Sequence, residues 1–155
     1  MKILSVVLIS ILTIISSCGF KIVDQDFLKD YGIIEANISG EPKIAYLIRK
    51  KIKKENTTNK NAIKIDIITE KQKKISEKNI QNEVTKYEIA IKANVKVFKM
   101  ATNNMIEFNL VKSGDYDVNE RNTTTLNNEK NLVKNLVNKI TDQIYQDLKI
   151  NIDDF

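Results

Sequence analysis

Three sets of side chains in this sequence could do chemistry: the thiol of Cys18, the ammonium groups of Lys71, Lys73, Lys74 and Lys78, and the carboxylates Asp115 and Asp117 flanking Tyr116. A thiol can act as nucleophile or acyl acceptor. Four closely spaced ammoniums could meet phosphate oxygens through charge-assisted hydrogen bonds, although a solvated lysine loop has the same spelling. Two carboxylates could share general acid and base roles, but nothing beside them supplies a nucleophile or an electrophilic partner. The acidic pair Asp153-Asp154 lies at the chain's end and reads as solvated. The chain contains no His. That removes the usual general base and the commonest nitrogen ligand of zinc, and with them triad hydrolases, Cys-His chemistry and HExxH metalloenzymes. No catalytic residue, metal ligand set or cofactor motif is assigned. The expectation is a non-enzyme.

Cys18 is the only cysteine in 155 residues, so it forms no internal disulfide. Its position is what matters. Lys2 is a short basic start, and Ile3–Ile15 is apolar apart from Ser5, Ser10 and Thr13. A membrane-spanning helix needs about 20 apolar residues, so the run has the size of a signal-peptide core rather than a span. Ile15-Ser16-Ser17-Cys18 resembles the bacterial lipobox of aliphatic, small, small and Cys. The resemblance implies a signal peptide over 1–17, cleavage before Cys18, and acylation of its thiol and its new amine. Several acyl chains on one residue give stable attachment where one would bind marginally, each buried CH₂ adding ~0.8 kcal/mol. Gly19 occupies the position where Asp retains enteric-type lipoproteins in the inner membrane. The expected location is therefore the outer membrane, periplasmic side, with attachment through the N-terminal lipid.

Composition says less about partners than its charge first implies. The formal net charge is +5, yet all the basic residues except Arg49 and Arg121 are Lys, and Lys, Ile and Asn dominate the chain together. Nucleic-acid binders usually add arginine forks and stacked aromatics, so no nucleic-acid partner is expected. With 42% hydrophobic and 29% charged residues, the chain is long enough for one compact domain.

The elements that would position these residues follow from periodicity. Tyr31–Ile38 reads as a first strand. Ser39-Gly40-Glu41-Pro42 reads as a helix start, with Ile44, Ala45, Ile48 and Ile52 at helical spacing and a basic tail suited to the helix dipole. Ile63, Ile65 and Ile67 alternate with polar residues. So do Tyr87, Ile89, Ile91, Ala93, Val95 and Val97, and later Ile106, Phe108 and Leu110. Residues 71–83 read as a polar linker between strands, and Ser113-Gly114 as a turn. Thr125–Leu148 is expected to be a long helix with Thr123-Thr124-Thr125 as cap candidates. Strand, helix, three strands and helix make an α+β two-layer sandwich over 18–155, with the three later strands as an antiparallel meander.

Taken in order, these pieces resemble a known family. The lipobox runs into Cys18-Gly19-Phe20, and a strand entry follows at Tyr87-Glu88-Ile89-Ala90-Ile91. Ser113-Gly114-Asp115-Tyr116-Asp117 then leads through Asn128-Glu129-Lys130 to a helix ending Ile144-Tyr145-Gln146-Asp147-Leu148. The chain is similar to the LPS-assembly lipoprotein LptE family over nearly its whole mature length, with Phe20 where a Trp is expected. The resemblance implies two helices packed on a mainly antiparallel four-stranded sheet. It implies a partner, the outer-membrane β-barrel LptD, which the lipoprotein plugs while assisting lipopolysaccharide delivery to the outer leaflet. Lys71, Lys73, Lys74 and Lys78 are the candidate lipopolysaccharide contacts. The competing reading is a small lipid- or ligand-binding lipoprotein, or an accessory subunit of another envelope complex.

Overall fold

A computed structural model describes residues 31–52, 54 and 62–151. Cys18 and residues 1–17, read above as a signal peptide, lie outside the described residues, as does Asp153-Asp154. The element order is β1 (Gly32–Gly40), α1 (Pro42–Lys51), β2 (Ala62–Lys78), β3 (Val84–Lys99), β4 (Asn104–Asp117) and α2 (Asn122–Asn151). The four strands form one sheet in the order β1-β2-β3-β4. β2, β3 and β4 are an antiparallel meander, and β1 lies parallel to β2. The expected α+β architecture of two helices on a mainly antiparallel four-stranded sheet is present.

The parallel pairing follows from chain reversal. Gly40 ends β1 with φ +97°, a left-handed conformation that suits glycine. A Cβ there would stand 1.9 Å from the Thr69 carbonyl oxygen, so the close approach of β1 to β2 requires a residue without one. The Thr69 hydroxyl donates to the Ser39 carbonyl at 2.9 Å, and the Glu41 amide donates to the Thr69 carbonyl at 3.0 Å. Pro42 then opens α1, where its missing N–H has no intrahelical partner to lose. The cap residue is Glu41, which makes no side-chain cap bond. Ile44, Ala45 and Ile48 face the sheet, and the Arg49 guanidinium donates to the Ile38 carbonyl at 2.8 Å. β2 then starts beside the start of β1 and runs the same way, after the ten-residue helix.

β2 is far longer than the alternation of Ile63, Ile65 and Ile67 predicts. It continues to Lys78, and the segment read as a linker is strand to that point. β1 accompanies it only as far as the Gly40–Thr69 pair. Beyond Thr69 the β2–β3 hairpin continues with an open edge, bulges between Ile75 and Lys78, and turns through Asn79–Glu83. In that turn the Asn79 side-chain oxygen accepts from the amides of Gln81 and Glu83, and Asn82 takes φ 65°.

Ser113-Gly114 is likewise strand and not a turn: β4 runs through both to Asp117. Gly114 leaves room for α2 there, because a Cβ would lie 3.0 Å from Leu132 Cδ1 and press on that side chain. α2 begins at Asn122, three residues earlier than expected, and the threonines sit in its first turn. Thr125 still performs a capping task, since its hydroxyl accepts from the Asn119 amide at 2.8 Å and so ties the entering loop to the helix. Mid-helix, buried Thr141 donates to the Val137 carbonyl at 2.8 Å and leaves no orphaned hydroxyl.

The core lies between the helices and one sheet face. Ile33, Ile44, Ile48, Ile63, Ile65, Ile67, Ile89, Ile91, Leu136, Ile140, Ile144 and Leu148 have essentially no exposure. α2 crosses the sheet obliquely. Leu132 and Leu136 sit over Gly114 of β4, whereas Tyr145 reaches the Lys51 carbonyl at the end of α1. Ile106, Phe108 and Leu110 of β4 face the helix side but are only partly covered.

Candidate functional site

The predicted lysines do not form one patch. Alternation along β2 puts Lys71 and Lys73 on the helix side of the sheet and Lys74 on the opposite side. Both helix-side ammoniums close on Glu129 of α2. Lys71 Nζ lies 2.8 Å from Glu129 Oε1, and Lys73 Nζ lies 3.0 Å from Oε2. The Tyr116 hydroxyl donates to the same Oε2 at 2.9 Å. Lys73 also stands over the Tyr87 ring at 4.3 Å and the Tyr116 ring at 5.3 Å, and those rings stack at 5.8 Å. Lys74 pairs with Glu88 at 3.1 Å, and Lys78 donates to the Asn82 side chain at 2.9 Å.

Electrostatics at Glu129 follow from this geometry. Burial pushes its pKa upward, but hydrogen bonds from Lys71, Lys73 and Tyr116 outweigh that and hold it down at about 2. Burial likewise opposes the charge on Lys73, and its bonds to Tyr116 and Glu129 raise its pKa nonetheless. The Tyr116 hydroxyl is pushed up, first by burial. All three groups keep their neutral-pH protonation states, so the cluster works as a clamp between the long hairpin and α2.

Sequence reasoning missed this clamp. It placed Glu129 in the first turns of the helix and attended to the acids beside Tyr116 rather than to Tyr116. The available signal was the alternation itself: Asp115 and Asp117 are exposed while Tyr116 between them is 5% exposed.

The far face of the sheet carries no helix among the described residues. Many of its cross-strand pairs are polar, although Ile68, Phe98, Met105 and Val111 also lie on this face. Asn37 donates to Glu35 and Asp66, both at 3.0 Å, and Asn94 donates to Glu107 at 2.6 Å and Asn109 at 3.0 Å. Lys96 lies 3.6 Å from Glu107, and Lys86 lies 2.6 Å from Glu77. The Asn94 hydrogen bond is the main cause that lowers the Glu107 pKa, and the Glu77 hydrogen bond is the main cause that raises that of Lys86. An open groove on this side is lined by Gln72, Lys74, Glu88 and Ala90, and borders Lys73 between Gln72 and Lys74 on β2. No group of His, Cys, Asp and Glu suited to a metal ion occurs among the described residues. No helix among them is long and apolar enough to cross a membrane.

Comparison with solved structures rests on this layout of helices and strands. The rare lipoprotein B of Shewanella oneidensis superposes with a TM-score of 0.60 at 15% identity, over 77% of this chain and 98% of that one. A lipoprotein of Caulobacter crescentus gives 0.57 at 11% identity, over 76% and 89%. Lipoprotein B of Nitrosomonas europaea gives 0.54 at 17% identity, over 84% and 90%. This chain has the fold of those lipoproteins. No family model and no curated protein matches the sequence.

Proposed function

We propose that this protein is an envelope lipoprotein, anchored through Cys18 to the periplasmic side of the outer membrane, that fills the lumen of the LPS-assembly barrel LptD. It acts there as plug and assembly partner, assists lipopolysaccharide delivery to the outer leaflet, and is not an enzyme. The observation that carries the reading is the largely polar sheet face that no helix among the described residues covers. Barrel lumens are polar and wet. A plug therefore needs an apolar core sealed on one side and a hydrogen-bonding skin on the other, as the rows through Asn37, Asp66, Asn94, Lys96, Glu107 and Asn109 supply. The lipobox, the order of the elements and the likeness to three lipoprotein structures support the same reading.

Outer membranes solubilised in mild detergent test it. The expected result is a large barrel protein that stays with this chain through stringent washing. Recovery of the chain alone, filled with a small lipid or other ligand, overturns the plug reading in favour of a carrier. Direct lipopolysaccharide contact is tested at Lys74 and Lys78, whose substitution by Ser leaves the Glu129 clamp intact. Binding at physiological salt is expected to weaken, and unchanged binding removes these lysines from the proposed contact.

A further inference from the structure

The sheet has three open edges among the described residues, and they are not alike. The outer edge of β1 is broken by a bulge between Ile33 and Glu35 and carries Glu35. The edge of β2 beyond Thr69 carries Lys71, Lys73, Lys74 and Lys78, with bulges near its end. Lysines and bulges are the usual devices that keep strands from pairing with other chains. β4 has neither device over Asn104–Val111. That stretch, Asn-Met-Ile-Glu-Phe-Asn-Leu-Val, has no Lys and no Pro and shows no register shift against β3. Met105 is 50% and Val111 56% exposed on the far face, while Ile106, Phe108 and Leu110 are only partly covered on the helix face. The oblique run of α2 toward α1 leaves this half of β4 at an open corner.

From this contrast we infer that the protein, when free of other partners, pairs through β4 with a second copy of itself. Two copies related by a two-fold axis through Phe108 would join antiparallel and extend the sheet across both. The sequence is self-complementary in that register. Phe108 faces Phe108 of the other copy, Ile106 faces Leu110, Met105 faces Val111, and Glu107 faces Asn109, so every apolar side chain meets an apolar one. A shift by two residues one way sets Glu107 against its own copy. A shift the other way sets Ile106 against Lys112 and Glu107 against Val111. Shifts by one residue oppose side chains of opposite faces. One register is therefore preferred, and charge and hydropathy both select it. This inference concerns the chain alone and stands or falls independently of the barrel reading.

The test uses the mature chain with Cys18→Ser, so that no lipid contributes. Light scattering at micromolar concentration is expected to give twice the chain mass. Phe108→Lys places a lysine on the axis and is expected to weaken the dimer by at least about tenfold, with circular dichroism and melting midpoint confirming that the fold survives. In the same Cys18→Ser background, Phe108→Cys is expected to cross-link with a short bis-maleimide, whereas Ile75→Cys on the lysine-bearing strand is not. A monomer at every concentration up to about 100 µM, well above the Kd of an ordinary stable interface, overturns the inference. So does equal cross-linking at Phe108→Cys and Ile75→Cys.

Discussion

Replacing Glu129 by Gln should destabilise the fold in a manner that depends on pH. The carboxyl is held at about 2 in the fold against 4.5 for the free side chain. Because the folded value is the lower one, the stabilisation is present above about 4.5 and is lost as pH falls toward 2. Linkage alone would give about 3 kcal/mol at neutral pH. The side chains of Glu129, Lys71 and Lys73 are 20%, 25% and 37% exposed, so solvent screens part of this. A realistic loss is about 1–2 kcal/mol, equivalent to a midpoint drop of roughly 3–8 °C in a domain of this size. Urea titrations of the parent and Glu129→Gln at pH 7, 5, 4 and 3 read the effect. The gap between them should stay constant from pH 7 to 5 and narrow below that. A gap below about 0.5 kcal/mol at pH 7, the scatter expected of ordinary surface substitutions, refutes the clamp. A gap that does not narrow in acid refutes its electrostatic origin.

Other expectations follow from the packing. Gly40→Ala should cost about 2–4 kcal/mol by urea titration, since a Cβ at φ +97° would overlap the Thr69 carbonyl. Gly114→Val should cost about 1–3 kcal/mol, because added methyls press on Leu132, while Gly114→Ala should cost less as Leu132 can turn aside. Ile65→Ala, at zero exposure, should cost about 2–5 kcal/mol and lower the melting midpoint accordingly. Cys18→Ser should abolish incorporation of labelled palmitate in cells and release the protein from the membrane fraction, and retained label would refute the lipid anchor.

The elements that were legible in the sequence are those whose burial is one-sided and continuous. Ile63, Ile65 and Ile67, the alternation from Tyr87 to Val97, and the stripe from Leu132 to Leu148 all face the core, and all were placed. β2 beyond Thr69 escaped because alternation reports burial rather than extension. α1 covers only the part of β2 that lies beside β1, so the helix-side positions at Lys71 and Lys73 carry cations for Glu129 instead of apolar groups. Gly114 read as a turn because the reason for it, the approach of Leu132, is a contact between elements distant in sequence. The clamp was hidden for the same reason: Lys71 and Glu129 are 58 residues apart. The parallel direction of β1 was within reach, since Gly40-Glu41-Pro42 turns the chain into a helix placed between two strands of one sheet.

That parallel pairing has a mechanical consequence. Tension applied at Gly32 runs along β1, whose partners from Ala62 to Thr69 lie beside it in the same direction. With the far hairpin held, a pull along this axis loads the ladder from Gly32–Ala62 to Gly40–Thr69 in shear, many bonds sharing the force, rather than unzipping it one pair at a time. Resistance to pulling is set by the rate of unfolding rather than by equilibrium stability. A domain leashed at that end would hold its shape under drag from a moving membrane, and would yield more readily to the same force applied across the strands.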